Sequence, residues 1–135
     1  MTKDVPAFDS LVGSMDYPMY VVTVMARGER SGCLVGFVTQ CSLSPPRLMV
    51  CLSKKNHTFR VAADADGLVV HFLGEGDTDL ARMFGGETGD DVDKFAYCDW
   101  DPGPGGTPVL RAGRGWVSGE IVQRTVGLSN WSIAA

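Results

Sequence analysis

Basic charge, histidine and paired cysteines are all scarce in this chain, and each shortage removes a class of function. Twelve lysines and arginines stand against sixteen aspartates and glutamates, a formal net charge of −4. Non-specific nucleic-acid binding needs a basic face to neutralise phosphates, so that class is set aside. The four cysteines, Cys33, Cys41, Cys51 and Cys98, show no CxxC spacing, and the two histidines are His57 and His71. A structural zinc site draws on closely paired ligands, so no metal site is expected. Three of the cysteines lie in or beside apolar runs, which reads as reduced thiols in a core. No apolar run approaches ~18 residues, and the opening MTKDVPAFDS has no apolar signal core. A cytoplasmic protein without a membrane span is therefore expected.

Familiar catalytic loops are missing too. There is no GxxxxGK[ST] loop for nucleoside triphosphates and no GxSxG elbow for an acyl-transfer serine. The GxG at Gly74–Gly76 lacks a third glycine and follows the wrong order of elements for a dinucleotide fingerprint. Gly89-Asp90-Asp91-Val92-Asp93 resembles a metal loop in composition alone and reads better as a solvated turn. No residue pair stands out as nucleophile and base, so no catalytic side chain is assigned. If the chain is an enzyme, a bound cofactor carries the reaction.

What is present suits one folded domain. Hydrophobic residues make up 44% and charged residues 21%, ordinary values for a globular protein. A short helix is expected within residues 5–15, with Phe8, Leu11 and Val12 on one face. YVVTVM at 20–25 reads as a strand, with the polar turn Arg27-Gly28-Glu29-Arg30 leading into a returning strand at 32–39. Together with RLMVCL at 47–52 these predict a three-stranded antiparallel beginning. A short helix at 57–64, a strand at 68–73 and a helix opening at Asp77-Thr78-Asp79 follow. In that last helix Leu80, Met83 and Phe84 share a face, and Gly85-Gly86 ends it. His71, in mid-strand, reads as a hydrogen-bonded core residue. Residues 85–107 form a long polar stretch broken by Phe95, Tyr97 and Trp100. Two strands, 108–110 and 115–122, follow, with Trp116, Val117 and Ile121 as anchors. The pattern is mainly β: an antiparallel barrel with two or three small helices laid on it.

Residues 31–58, SGCLVGFVTQCSLSPPRLMVCLSKKNHT, are the most informative stretch. An apolar strand ends in the small polar residues Thr39, Gln40, Cys41 and Ser42. Pro45-Pro46 turns the chain, because two prolines remove two backbone donors and restrict the preceding residue. Beyond the next strand, Ser53 to Thr58 lead into a helix, whose first N–H groups and partial positive charge suit a phosphate. Lys54 and Lys55 are a local basic patch on an acidic chain, which favours one small anion over a polyanion.

This stretch resembles the flavin reductase-like family, whose members fold as an FMN-binding split barrel. The resemblance rests on Gly32 through Pro46, a glycine-led strand, small polar bend and S-x-S-P-P turn, followed by Leu48–Leu52 and then Ser53–Thr58. Leu68–Leu73, Leu80–Phe84, Asp93-Lys94-Phe95 and Gly106–Leu110 follow in the family's order. The likeness spans about residues 10–122. It implies a six- to seven-stranded split β-barrel over residues 1–122 that acts as a flavin reductase. The reaction implied is hydride transfer from NADH or NADPH to FMN, or to FAD. It implies a ring lying against Leu34, Val35 and Gly36, with Thr39, Gln40 and Cys41 at the ribityl chain or ring edge. Ser53, Lys54, Asn56, His57 and Thr58 would surround the phosphate, and Phe84 would close over the flavin. A homodimer, and a partner monooxygenase receiving the reduced flavin, are implied as well.

The sequence departs from the family after Val122. The family's glycine-aspartate-histidine turn, with its histidine near the nicotinamide, has no counterpart in residues 123–135. These residues read as an atypical tail, truncated or out of frame, that leaves a strand edge unpaired. Two alternatives stay open: a flavin-binding carrier or degenerate member without turnover, and a related barrel using a deazaflavin or a pyridoxal-phosphate-type ligand.

Overall fold

The computed structural model describes residues 5–14, 18–86, 93–128 and 131–134, with side chains described over 7–14, 18–86 and 93–125. Among the described residues ten strands, β1 (Tyr20–Ala26), β2 (Glu29–Val35), β3 (Val38–Leu43), β4 (Pro46–Ser53), β5 (Gly67–Phe72), β6 (Trp100–Pro102), β7 (Pro108–Leu110), β8 (Gly115–Glu120), β9 (Arg124–Leu128) and β10 (Trp131–Ala134), are joined by three α-helices. The helices are α1 (Val5–Gly13), α2 (His57–Ala62) and α3 (Thr78–Gly86). One antiparallel sheet runs β2-β1-β5-β8, a second runs β3-β4-β10-β9, and β6-β7 form a separate ribbon. This is the mainly β, antiparallel architecture expected, with more strands than six or seven. Among the described residues no helix is long and apolar enough to cross a membrane.

The first hairpin follows from its turn. Arg27 and Gly28 both have positive φ, 54° and 74°, and two such residues make the tight turn whose twist matches paired strands. Val22 then faces Cys33 and Val24 faces Ser31 across the hairpin. The expected strand at 32–39 is two strands. The chain leaves the first sheet after Val35 and enters the second at Val38, so β4 pairs with β3 and not with the β1–β2 hairpin. The three-stranded beginning is thereby replaced by two hairpins in two sheets. Gly36 sits at this corner, where a strand interior bends most readily.

Alternation along β2 feeds two cores, because successive side chains leave a strand on opposite faces. Cys33 and Val35 join Val22, Val24, Val50, Leu52, Val61 and Val70 in one cluster. Leu34 points the other way and packs with Val21, Phe84, Phe95 and Leu110. Each fully buried aliphatic or phenyl side chain stabilises the fold by about 1.5–3 kcal/mol. Gly32 lies under the second cluster, where an added Cβ would sit 2.8 Å from Phe84 Cε1 and 3.2 Å from Phe95 Cζ. Gly32→Ala is therefore expected to cost about 1–3 kcal/mol by overpacking. Urea unfolding reads this directly, and an unchanged midpoint would show that the rings can yield.

The Asp93-Lys94-Phe95 element closes the second core. Asp93 caps a 3-10 turn by accepting from Phe95 N, and Lys94 Nζ donates to the Phe84 and Gly32 carbonyls at 2.9 and 3.3 Å. The β6–β7 ribbon is tied on by polar side chains from the first sheet. Thr23 Oγ1 donates to the Pro108 carbonyl at 2.6 Å, and His71 Nε2 accepts from Leu110 N at 2.9 Å. Since Nε2 accepts, Nδ1 carries the proton and donates to the Val21 carbonyl at 2.9 Å. His71 is fully buried, the core residue expected. Burial holds its pKa below the ordinary histidine value, partly opposed by the bond to Val21.

Several details differ from expectation. Helix α1 forms, but Phe8 and Leu11 stay exposed, so that face covers no core. Trp116 and Val117 are not anchors: they are 46% and 44% exposed, on a strand whose residues are all exposed. Tail residues 124–128 and 131–134 extend the second sheet, with β10 pairing to β4 from Trp131 opposite Ser53 to Ala134 opposite Val50. Arg124 donates to the carbonyls of Ala62 and Ala65, linking the tail to the end of α2. Most of the acidic run at 89–93 lies outside the described residues.

Candidate flavin site

Two segments that are distant in sequence meet along the β3–β4 pair. Val38 stands opposite Val50, Thr39 opposite Met49 and Gln40 opposite Leu48, and Cys51 N donates to the Phe37 carbonyl at 3.0 Å. Gly36 to Cys41 therefore runs beside the strand that delivers Ser53 and Lys54. Thr39, Gln40 and Cys41 are exposed, and Cys41 Sγ lies 3.7 Å from the Arg47 carbonyl. At Gly36 an added Cβ would meet only the Met19 side chain, at ordinary contact distance of 3.6 Å. Packing of the chain itself does not demand glycine there.

The polar loop after β4 is ordered by short bonds. Asn56 N donates to the Ser53 carbonyl, and Asn56 Oδ1 caps α2 by accepting from Thr58 N, both at 3.0 Å. The Ser53 hydroxyl also accepts from Lys55 N at 3.4 Å, and it and the Asn56 amide N–H₂ can still donate. Lys54 is half-buried and Lys55 exposed, and neither forms an ion pair among the described residues. Helix α2 has six residues, so its dipole adds little and the side chains must supply the attraction for a phosphate. His57 and Thr58 turn away from this loop toward β2. His57 Nδ1 meets Ser31 Oγ at 2.7 Å and Nε2 meets Glu29 Oε1 at 3.1 Å, while Thr58 is buried against Ser31 at 2.9 Å.

Three other expected contacts lie in cores. Leu34 and Val35 occupy opposite clusters, so one ring cannot lie against both side chains. Phe84 is 1% exposed and packs edge-on to Phe95 at 5.7 Å. In this conformation it fills the second core and has no free face to offer a ring.

A groove of about 620 Å3 opens between the sheets, where β3 and β4 diverge from β5 and β8. Gln40 is the one expected site residue in its wall, with Arg47, Leu48, Phe72, Val117 and Val122 among the others. Its lining is largely apolar and carries no cluster of phosphate donors. The Ser53–Asn56 donors sit at the opposite end of β4, so size alone does not make the groove the phosphate site. The sequence reading carried no sign of Arg47 in this wall, and it marked Trp116 and Val117 of β8 as anchors although they are exposed. An apolar pair in the glycine-rich context GRGWVSGE was the available signal for their exposure. Among the described residues no group of histidine, cysteine and acidic side chains could hold a metal ion.

The model of the flavin reductase like domain matches residues 12–134. This chain belongs to that family. An FMN reductase (NADH) RutF of Methylorubrum extorquens is 30% identical over 107 residues, 79% of this chain and 52% of its own length. The protein of the same name from Klebsiella pneumoniae is 29% identical over 109 residues, 81% of this chain and 66% of its own. This chain thus spans about half to two thirds of the length of these two relatives. Among solved structures, a Streptomyces globisporus NADH:FAD oxidoreductase superposes with a TM-score of 0.86 at 25% identity. That likeness covers 99% of this chain and 79% of the other. The family match runs through β9 and up to the last residue of β10.

Proposed function

We propose that this chain is a flavin reductase, passing a hydride from NADH or NADPH to FMN, with FAD as the larger substitute. The family match over residues 12–134 carries the proposal, and the names of the relatives supply the flavin and the nicotinamide. The chain's own geometry fits such a ligand at one end. Lys54 and Lys55, which form no ion pair among the described residues, and the Ser53 hydroxyl and Asn56 amide suit a phosphate. Thr39, Gln40 and Cys41 on exposed β3 run opposite Met49 and Leu48, farther from Ser53 than Gly36 is, and suit the ring edge. Gly36, where the chain itself tolerates a Cβ, leaves the backbone open to a flat ring. Bound flavin would supply the hydride-accepting chemistry, while the chain's residues bind, orient and leave one ring face open. In this reading Leu34, Val35 and Phe84 support the site from within the cores, and His57 and Thr58 hold its frame.

A homodimer is part of the same proposal. Trp116, Val117, Val122 and Phe72 are exposed around the groove, and β8 is an edge strand of the first sheet. Exposed apolar surface beside an edge suits a second copy. We assign the flavin chemistry to residues 1–122 and a sheet-completing role to 123–135. We further propose a cytoplasmic setting, with reduced flavin handed to a partner monooxygenase. Titration with FMN followed by NADH or NADPH oxidation in the same cuvette tests the activity. Binding with flavin-dependent oxidation is the expected result. Binding without oxidation would favour a carrier and point to residues 123–135, and no binding would overturn the flavin reading.

A further inference from the structure

We propose that Glu29 and Ser31 are positioning residues for the flavin phosphate, acting through His57. The proposal rests on the reading of residues 53–56 as the phosphate-holding loop. Glu29 and Ser31 are two apart on β2, so they leave the strand on one face, the face that also carries Cys33 toward α2. There they meet the first two residues of α2. Thr58 Oγ1 lies 2.9 Å from Ser31 Oγ, Ser31 Oγ 2.7 Å from His57 Nδ1, and His57 Nε2 3.1 Å from Glu29 Oε1.

One set of proton positions satisfies the whole chain. A carboxylate can only accept, so His57 Nε2 donates to Glu29, and when the ring carries that proton alone Nδ1 is an acceptor. Ser31 then donates to Nδ1 and accepts from Thr58. The inner links are sealed, with Ser31 3% and Thr58 0% exposed, whereas Glu29 is mainly exposed. The relay therefore runs from the core to the surface and ends on a carboxylate that fixes the imidazole.

That anchor matters because α2 cannot orient itself. Six residues are too few for a self-supporting helix, so the direction of its first turn is set by tertiary bonds. Asn56, its cap, is bonded back to Ser53, with Lys54 and Lys55 between them. Fixing His57 from β2 fixes Asn56 beside it, and with it the loop that presents the two lysines. Glu29 touches no part of a ligand bound there; it acts through the ring it holds.

The test compares FMN with riboflavin, which has the same ring and ribityl chain but no phosphate, on the full chain. Wild type is expected to prefer FMN. Glu29→Ala should weaken FMN binding about fivefold, the scale of one orienting hydrogen bond, and leave riboflavin binding and the unfolding midpoint unchanged. Glu29→Gln, whose amide oxygen can still accept from Nε2, should restore most of the loss. Ser31→Ala, which withdraws the inner link, should shift FMN binding in the same direction. Equal losses for FMN and riboflavin, no loss in Glu29→Ala, or a Glu29→Gln as weak as Glu29→Ala would overturn the relay. A wild type with no preference for FMN would instead overturn the phosphate reading of residues 53–56, and the relay with it.

Discussion

Phe84→Ala is expected to lower the free energy of unfolding by about 3–5 kcal/mol, without a matching loss of FMN affinity. The ring is 1% exposed and lies between α3 and β2. On one side it meets Phe95 edge-on at 5.7 Å, and Phe95 in turn meets Trp100 at 5.8 Å. On the other it covers Gly32, which has no side chain to move into a cavity. Lys94 Nζ sits 5.6 Å from the ring centre while donating to the Phe84 and Gly32 carbonyls. Removing the ring thus empties a space that rigid strand and helix backbone cannot close, and it strips one wall from the Lys94 site. Urea denaturation with an unchanged slope measures the loss. A variant that kept wild-type stability and lost FMN would return Phe84 to the role of a flavin cover.

His71→Leu is expected to cost about 2–4 kcal/mol at neutral pH, because it withdraws partners from two buried backbone groups at once. Leu110 N–H loses its acceptor, and the Val21 carbonyl loses the Nδ1 donor. The first of these bonds is one of two side-chain bonds that fasten β7 to the sheet, the other being Thr23 to the Pro108 carbonyl, so the ribbon should loosen at its Leu110 end. The pH dependence carries a sign. Burial holds the folded-state pKa of His71 below its unfolded value. As pH falls below about 6.5, the unfolded chain takes up a proton that the folded chain refuses. Wild-type stability therefore falls from that pH down toward the folded pKa. The leucine variant lacks this contribution, so the gap between the two proteins should narrow on going from pH 8 to pH 5. Unfolding curves at the two pH values decide it; a gap that widened on acidification would mean that the buried ring is charged.

Much of the chain was legible because local patterns report local facts. YVVTVM and LVVHFL are rich in β-branched residues, RLMVCL is a short apolar run, and they became β1, β5 and β4. The Leu80–Met83–Phe84 face correctly marked α3 and the second core. The candidate phosphate loop was legible for the same reason, since Ser53, Lys54, Lys55 and Asn56 are neighbours in sequence. The resemblance to the flavin reductase-like family joined those patterns in order, and the family match bears it out.

Partners across the fold could not be read in this way. Period-two alternation shows that a strand has two faces but not which sheet it joins. The run from Gly32 to Thr39 therefore looked like one strand until the two sheets divided it at Gly36 and Phe37. Leu34 and Val35 are adjacent letters serving opposite cores, and Phe84 is apolar in sequence whether it covers a ligand or fills an interior. Glu29 and Ser31 carry no local mark of their link to His57, because 28 and 26 residues separate the partners. The sequence alone determined β1, β4 and β5, the three helices, the basic loop and the family. The tertiary structure decided sheet membership, which apolar residues face inward, and which polar groups meet, since each depends on long-range register and packing.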